Sequence, residues 1–177
     1  MKMTTNFQEL SLSIVKKLCW YPDDAGVEVQ ENSHTLQVLV RVNKNDQSKL
    51  LGKDGSTMSA LGQIVSAVAR TQGLRFGKLR MVEIATGEKE WRQFKPDEDW
   101  SPADDEPYAQ DLHALLSILC QGQNVRVESS ESQEGETAFA ALVPMAPTVG
   151  TQHAIEDLWY ALGKVAGRTM KVRFGIL

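Results

Sequence analysis

The chain has 177 residues, of which 42% are hydrophobic and 24% charged, and a formal net charge of −4. That length suits one domain or two small ones, and the composition is that of a globular protein rather than a disordered or collagenous one. No early run resembles a signal peptide, and no later stretch nears the roughly 18 apolar residues that span a membrane, so a cytoplasmic protein without a membrane partner is expected.

Phe7, Leu10, Ile14, Val15 and Leu18 recur at three- and four-residue spacing, which predicts an amphipathic first helix. Tyr21-Pro22-Asp23-Asp24 ends it, because proline disfavours helical backbone in the residue before it. Val27-Glu28-Val29 opens a short strand, Asn32-Ser33 turns the chain, and Thr35 to Val42 alternates with Leu36, Val38, Val40 and Val42 on one face. Asn45 or Asp46 is placed to cap a short helix through Leu51. Gly52-Lys53-Asp54-Gly55 follows, and then a second helical stripe of Met58, Leu61, Ile64 or Val65, and Val68 that ends near Gly73. Lys78 to Ile84 is a β-rich segment.

The same order returns after residue 109. Leu112, Leu115, Leu116 and Leu119 predict a helix. Val125 to Val127 and Thr137 to Val143 predict a hairpin across the acidic turn Glu131 to Glu136. Ala154, Leu158, Ala161, Leu162 and Val165 predict another helix, and Met170, Val172, Phe174 and Ile176 alternate as a closing strand. This is a divergent internal repeat, and it favours two small α+β domains over one large one. A counterpart to the Asp46–Leu51 helix is weak or absent, and Val149-Gly150-Thr151-Gln152 stands where the glycine loop would be. Residues 86–108 are expected to be an acidic, proline-containing linker. Its aromatics Trp91, Phe94, Trp100 and Tyr108 are expected to dock in part on a neighbouring domain.

Charge divides unevenly. Residues 1–90 carry 12 Lys+Arg against 10 Asp+Glu, and residues 91–177 carry 7 against 13. Eight basic residues lie between Arg41 and Arg80, opposed only by Asp46 and Asp54, which points to a polyanion site near the glycines. Other chemistries fit less well. A P-loop would need glycine at Gln47 and a hydroxyl residue in place of Asp54. Cys19 and Cys120 form no CxxC pair, and sitting at matching helix ends they suit packing. His34, His113 and His153 lack metal-ligand spacing, and no GxSxG occurs. The expectation is no enzyme, no metal and no cofactor.

Helix–strand–strand–helix–GxxG–helix–strand, with Pro22-Asp23-Asp24 before the first strand and Lys49 to Gly55 at the loop, resembles the type II KH domain of bacteria. The small KhpA-like single-domain proteins are similar over roughly residues 6–85. Residues 109–177 resemble a second, degenerate type II KH domain that has lost the loop. The resemblance implies binding of single-stranded RNA at Gly52, Lys53, Asp54, Gly55, Ser56 and Thr57, helped by Lys49, Lys44 and Arg41. Glycines allow close backbone approach, and the helix start beyond them offers amides to phosphate. Asp54 is expected to face solvent or to cap that helix. The implied role is post-transcriptional regulation or RNA chaperoning. The second domain would serve as a packing or dimerisation partner, and a homodimer or a heterodimer with another KH protein is open. The rival reading is an interaction scaffold with little or no RNA binding. Residues 97–106 are further expected to compete with RNA for the basic surface.

Overall fold

The computed structural model describes residues 2–84, 102–132 and 135–177. Helix α1 spans Lys2–Leu18, and the Phe7, Leu10, Ile14, Val15 and Leu18 stripe is buried along it. A 3-10 turn at Pro22–Asp24 leads into strands β1 (Gly26–Glu31) and β2 (Thr35–Asn43). Helix α2 (Gln47–Leu51), a 3-10 turn at Lys53–Gly55, helix α3 (Ser56–Thr71) and strand β3 (Phe76–Ile84) complete the first repeat. The second repeat runs α4 (Pro102–Leu119), β4 (Arg126–Glu131), β5 (Glu136–Val143), α5 (Val149–Ala166) and β6 (Thr169–Ile176).

The two three-stranded sheets share one topology. β1 lies antiparallel to β2 and β2 parallel to β3, and β4, β5 and β6 repeat that pattern. Their registers coincide, with Val27 opposite Val40 and Val127 opposite Ala141. Alternation sends Leu36, Val38, Val40 and Val42 inward from β2, and Thr137, Phe139, Ala141 and Val143 inward from β5.

One continuous core joins the repeats. Helix α3 packs on α5, and α1 packs on α4 and α5. The leucines and valines of these faces bury fully only in the joined state, at about 1.5–3 kcal/mol per side chain. Between α1 and α4, Lys17 Nζ donates to Asp111 Oδ2 at 2.7 Å, and Ser13 Oγ donates to the same carboxylate.

Two expectations need correction. The segment expected as linker is already helical from Pro102, with proline suited to a helix's first position and Asp104 and Asp105 in its positive first turn. Pro107 lies inside that helix and deprives it of one N–H donor, a cost that packing of Tyr108 and Leu112 offsets. Of the four aromatics, Tyr108 is buried in the core, while Trp91, Phe94 and Trp100 lie outside the described residues. Asp105 is also buried and accepts a hydrogen bond from Thr137 Oγ1 at 2.9 Å, so it is not available to compete for a basic surface. Second, Asp46 makes no cap to α2; its carboxylate accepts the Trp20 and Tyr21 backbone N–H groups at 2.6 and 2.8 Å. Asn43 accepts from the Asn45 N–H instead, and its Nδ2 donates to Asp24 at 2.8 Å. At the place the glycine turn holds in the first repeat, Val149-Gly150-Thr151-Gln152 forms the first turn of α5.

Candidate nucleic-acid interface

The glycine loop owes its shape to demands on the backbone at three positions. Gly52 has φ 73° and ψ 179°, a combination closed to residues with a Cβ, and a Cβ there would meet Thr57 Oγ1 and stand 2.9 Å from Thr57 N. Asp54 and Gly55 are both left-handed, with φ of 53° and 76°. Asp54 tolerates this region better than most side chains do. A Cβ at Gly55 would meet nothing within 4 Å, so the outer face of the turn is open to an approaching group. Gly52 is therefore held by packing against Thr57, whereas Gly55 is held by its backbone angle alone.

Helix α3 starts directly behind this turn, and no side chain caps it. Lys53, Asp54 and Ser56 are exposed, while Thr57 is buried against Gly52. The helix start thus presents its positive dipole end to the open side of the loop. Asp54 does not cap the helix, the second of the two roles expected for it. Lys49 is half-buried on α2 with Nζ 4.3 Å from the Trp20 ring centroid, a cation–π contact that orients it beside the loop.

The candidate residues divide into two groups. Lys49, Gly52, Lys53, Ser56 and Thr57 line one groove, with Asp54 and Gly55 in the turn between them. Lys44 is exposed in the 3-10 turn Lys44–Asp46, outside that groove lining. Arg41 sits on the solvent side of β2, where its Nη2 donates to Glu28 Oε2 at 3.3 Å. That side faces away from the helices, because Val40 and Val42 point inward on either side of it. Arg80 shares the outer side on β3, so the basic segment of the sequence is split between two surfaces.

Sequence reasoning missed the contribution of the second repeat to the groove. Tyr160, Lys164 and Asp157 of α5 line it opposite Lys49 and Lys53. They had been passed over because helical spacing marks only the buried stripe of α5, and its exposed side carries no motif. The second repeat's own equivalent of the loop is closed. Buried Val143 and Thr151 correspond to buried Val42 and Thr57, and the intervening stretch is shorter by seven residues, enough to leave out the five-residue α2. Thr148 caps α5 there, its Oγ1 accepting the Thr151 N–H at 3.3 Å. Cys19 and Cys120 form no disulfide, and burial pushes the Cys120 thiol up. No cluster of three metal-ligating side chains occurs among the described residues, and no described helix is long and apolar enough to cross a membrane.

A helix–strand–strand–helix–GxxG–helix–strand unit whose glycine turn opens onto a helix start is a KH-type α+β domain. Family comparison agrees: the KhpA/KhpB KH domain model matches residues 8–80. The RNA-binding protein KhpA of Halalkalibacterium halodurans is 32% identical over 73 residues, which cover 41% of this chain and 91% of that protein. The protein of the same name from Listeria monocytogenes is 36% identical over 61 residues, 34% of this chain and 80% of its own length. That of Lactiplantibacillus plantarum is 32% identical over 63 residues, 36% of this chain and 74% of its own. The chain belongs to the KhpA/KhpB KH-domain family, and the likeness covers its first repeat.

Proposed function

We propose that this chain binds single-stranded RNA through the Gly52–Gly55 turn, with Lys53 and Lys49 countering phosphate charge. The observation that carries this reading is the contrast between two equivalent helix starts. The start of α3 is uncapped behind an open turn, and that of α5 is capped by Thr148. An uncapped helix start beside open glycine backbone offers N–H donors and positive potential where a phosphate fits. The naming of the similar proteins as RNA-binding supports the same reading.

In this reading residues 1–85 form the RNA-binding KH domain, and the second repeat is a degenerate KH domain that supplies packing. Its α–β–β–α–β order without the second helix supports that assignment. A homodimer, or a heterodimer with another KH protein, would have to use a surface other than the side of α3 that α5 covers. A cytoplasmic role in post-transcriptional regulation or as an RNA chaperone is the setting that suits such a protein.

A salt titration of RNA affinity tests the reading. With about three phosphates contacted, log K should fall against log salt with a slope near −2, at about −0.7 per contact for single strands. Lys53→Asp sets two acids side by side in the turn and should weaken binding by tenfold or more while the unfolding midpoint holds. Absence of binding by the wild type at low salt would sink the reading and leave the interaction scaffold.

A further inference from the structure

The groove beside the glycine turn has a second wall, and it comes from the other repeat. The groove measures about 440 Å³. Helix α5 is a core helix on most sides, with Ala154, Ile155, Leu158, Trp159 and Leu162 buried. Tyr160 departs from that pattern: it is 48% exposed and lines the groove. Lys164, one turn further on, holds its Nζ 4.8 Å from the Tyr160 ring centroid. An i, i+4 spacing places the two on one face of the helix. At the corresponding places on α3 stand Ser66 and Arg70, so the aromatic ring belongs only to the wall that faces the glycine turn.

We propose that α5 completes the RNA site: Tyr160 stacks on a base of the strand clamped at Gly52–Gly55, and Lys164 contacts a flanking phosphate. This rests on the RNA-binding reading of the turn and adds the second repeat to the site. A clamp on the sugar-phosphate backbone leaves bases splayed, and a half-exposed aromatic ring beside it is a stacking surface that accepts any base. Charge agrees. Lys49, Lys53 and Lys164 line the groove against one carboxylate, Asp157, among the described residues of an acidic chain. Asp157 lies three residues before Tyr160 and Lys164 four after it, so acid, ring and base run along one stripe of α5. A strand crossing this stripe keeps its phosphates toward the lysines and a base on the ring.

Fluorescence anisotropy of the full chain with a labelled random-sequence single-stranded RNA pool tests this. Tyr160→Ala should weaken binding about tenfold, the usual scale for one base–aromatic stack, at an unchanged salt slope. Tyr160→Phe keeps the ring and should bind as wild type. Lys164→Gln should flatten the salt slope by about 0.7. Both side chains are exposed, so thermal midpoints should hold and a loss of affinity cannot be read as unfolding. Wild-type affinity in Tyr160→Ala, with binding lost in Lys53→Asp, would overturn the composite site and leave the clamp standing. Equal losses in Tyr160→Ala and Tyr160→Phe would overturn stacking, since the one change common to both is loss of the hydroxyl. A wild type that binds no RNA takes both readings down together.

Discussion

The two repeats share a sheet topology, a register and a helix pattern, and they differ at one junction. In the first, the chain leaves β2, forms α2 and enters α3 through two positive-φ glycines with no side-chain cap. In the second, the chain leaves β5, forms no helix, and enters α5 through Thr148, which caps it. A cap satisfies an amide from within and so closes the helix start to ligands; leaving it off keeps the start open at a cost in stability. The comparison teaches that a fold and its binding site are separable. The strands and long helices supply the core, and a short segment between β2 and α3 supplies the glycine turn at the centre of the proposed site.

The difference can be tested from its strongest consequence downward. If the repeats share one core, a cavity in one should weaken both. Leu158 of α5 is fully buried and stands against Phe7, Ile14 and Leu61 of the first repeat around a small internal void. Leu158→Ala should cost about 3 kcal/mol, within the usual range for a buried leucine. Urea unfolding followed by near-ultraviolet dichroism should show one transition moved to lower denaturant. Two separate transitions, with the first repeat unmoved, would break the picture of a joined core.

Thr148→Ala sharpens the contrast between helix starts. Loss of the cap should cost about 1 kcal/mol of unfolding free energy and leave RNA affinity unchanged, because the proposed site lies at the other repeat's helix start. A change in affinity larger than in stability would show that the second start also takes part in binding. The smallest effect is expected at Arg41. Its pairing with Glu28 is surface-exposed, at 50% and 43% exposure, and such pairs contribute at most about 1 kcal/mol. Arg41→Ala should leave affinity within about twofold and the salt slope intact, since one lost single-strand contact would change the slope by about 0.7. A flatter slope would return Arg41 to the site.

A different asymmetry concerns charge in the interior. The second repeat buries Arg168, whose Nε donates to Thr137 Oγ1 at 2.7 Å and whose Nη2 donates to Glu131 Oε1 at 2.7 Å. The first repeat buries no cation among its described residues; its fully buried carboxylate, Asp46, is held by backbone N–H groups, whereas the second repeat's buried Asp105 accepts from the same Thr137 that Arg168 touches. Both arrangements follow the rule that a charge leaves water only with partners. Asp46 fastens the start of α2 to the end of α1, and this fixes where the glycine turn stands. A repeat without α2 has no use for that fastening, and none is found among its described residues.

Much of this was legible in the chain before any coordinates. Periodicity located the apolar stripes of α1, α3, α4 and α5, because a buried face repeats at the period of its own element and survives divergence between repeats. Alternation located β2, β5 and β6 for the same reason. The glycine pair was legible because left-handed backbone selects so few residues. Local reading failed where a residue's role depended on a partner distant in the chain. Asp46 looked like a cap to α2, and its acceptance of Trp20 and Tyr21 amides is set by a neighbour 25 residues away. Asp104, Asp105 and Pro107 looked like linker, yet Tyr108 and Asp105 are drawn into the core by Lys17 and Thr137.

The sequence by itself therefore determined the two repeats, their stripes, and the glycine turn between α2 and α3. Those properties are local, fixed by spacing and by which residues tolerate a positive φ. Tertiary structure alone decided that Arg41 leaves the loop for the outer face of the sheet and that Tyr160 and Lys164 arrive beside it. Residues more than a hundred positions apart meet there because α3 and α5 must bury their apolar faces against each other, and that packing brings an exposed stripe of α5 to the edge of the glycine turn.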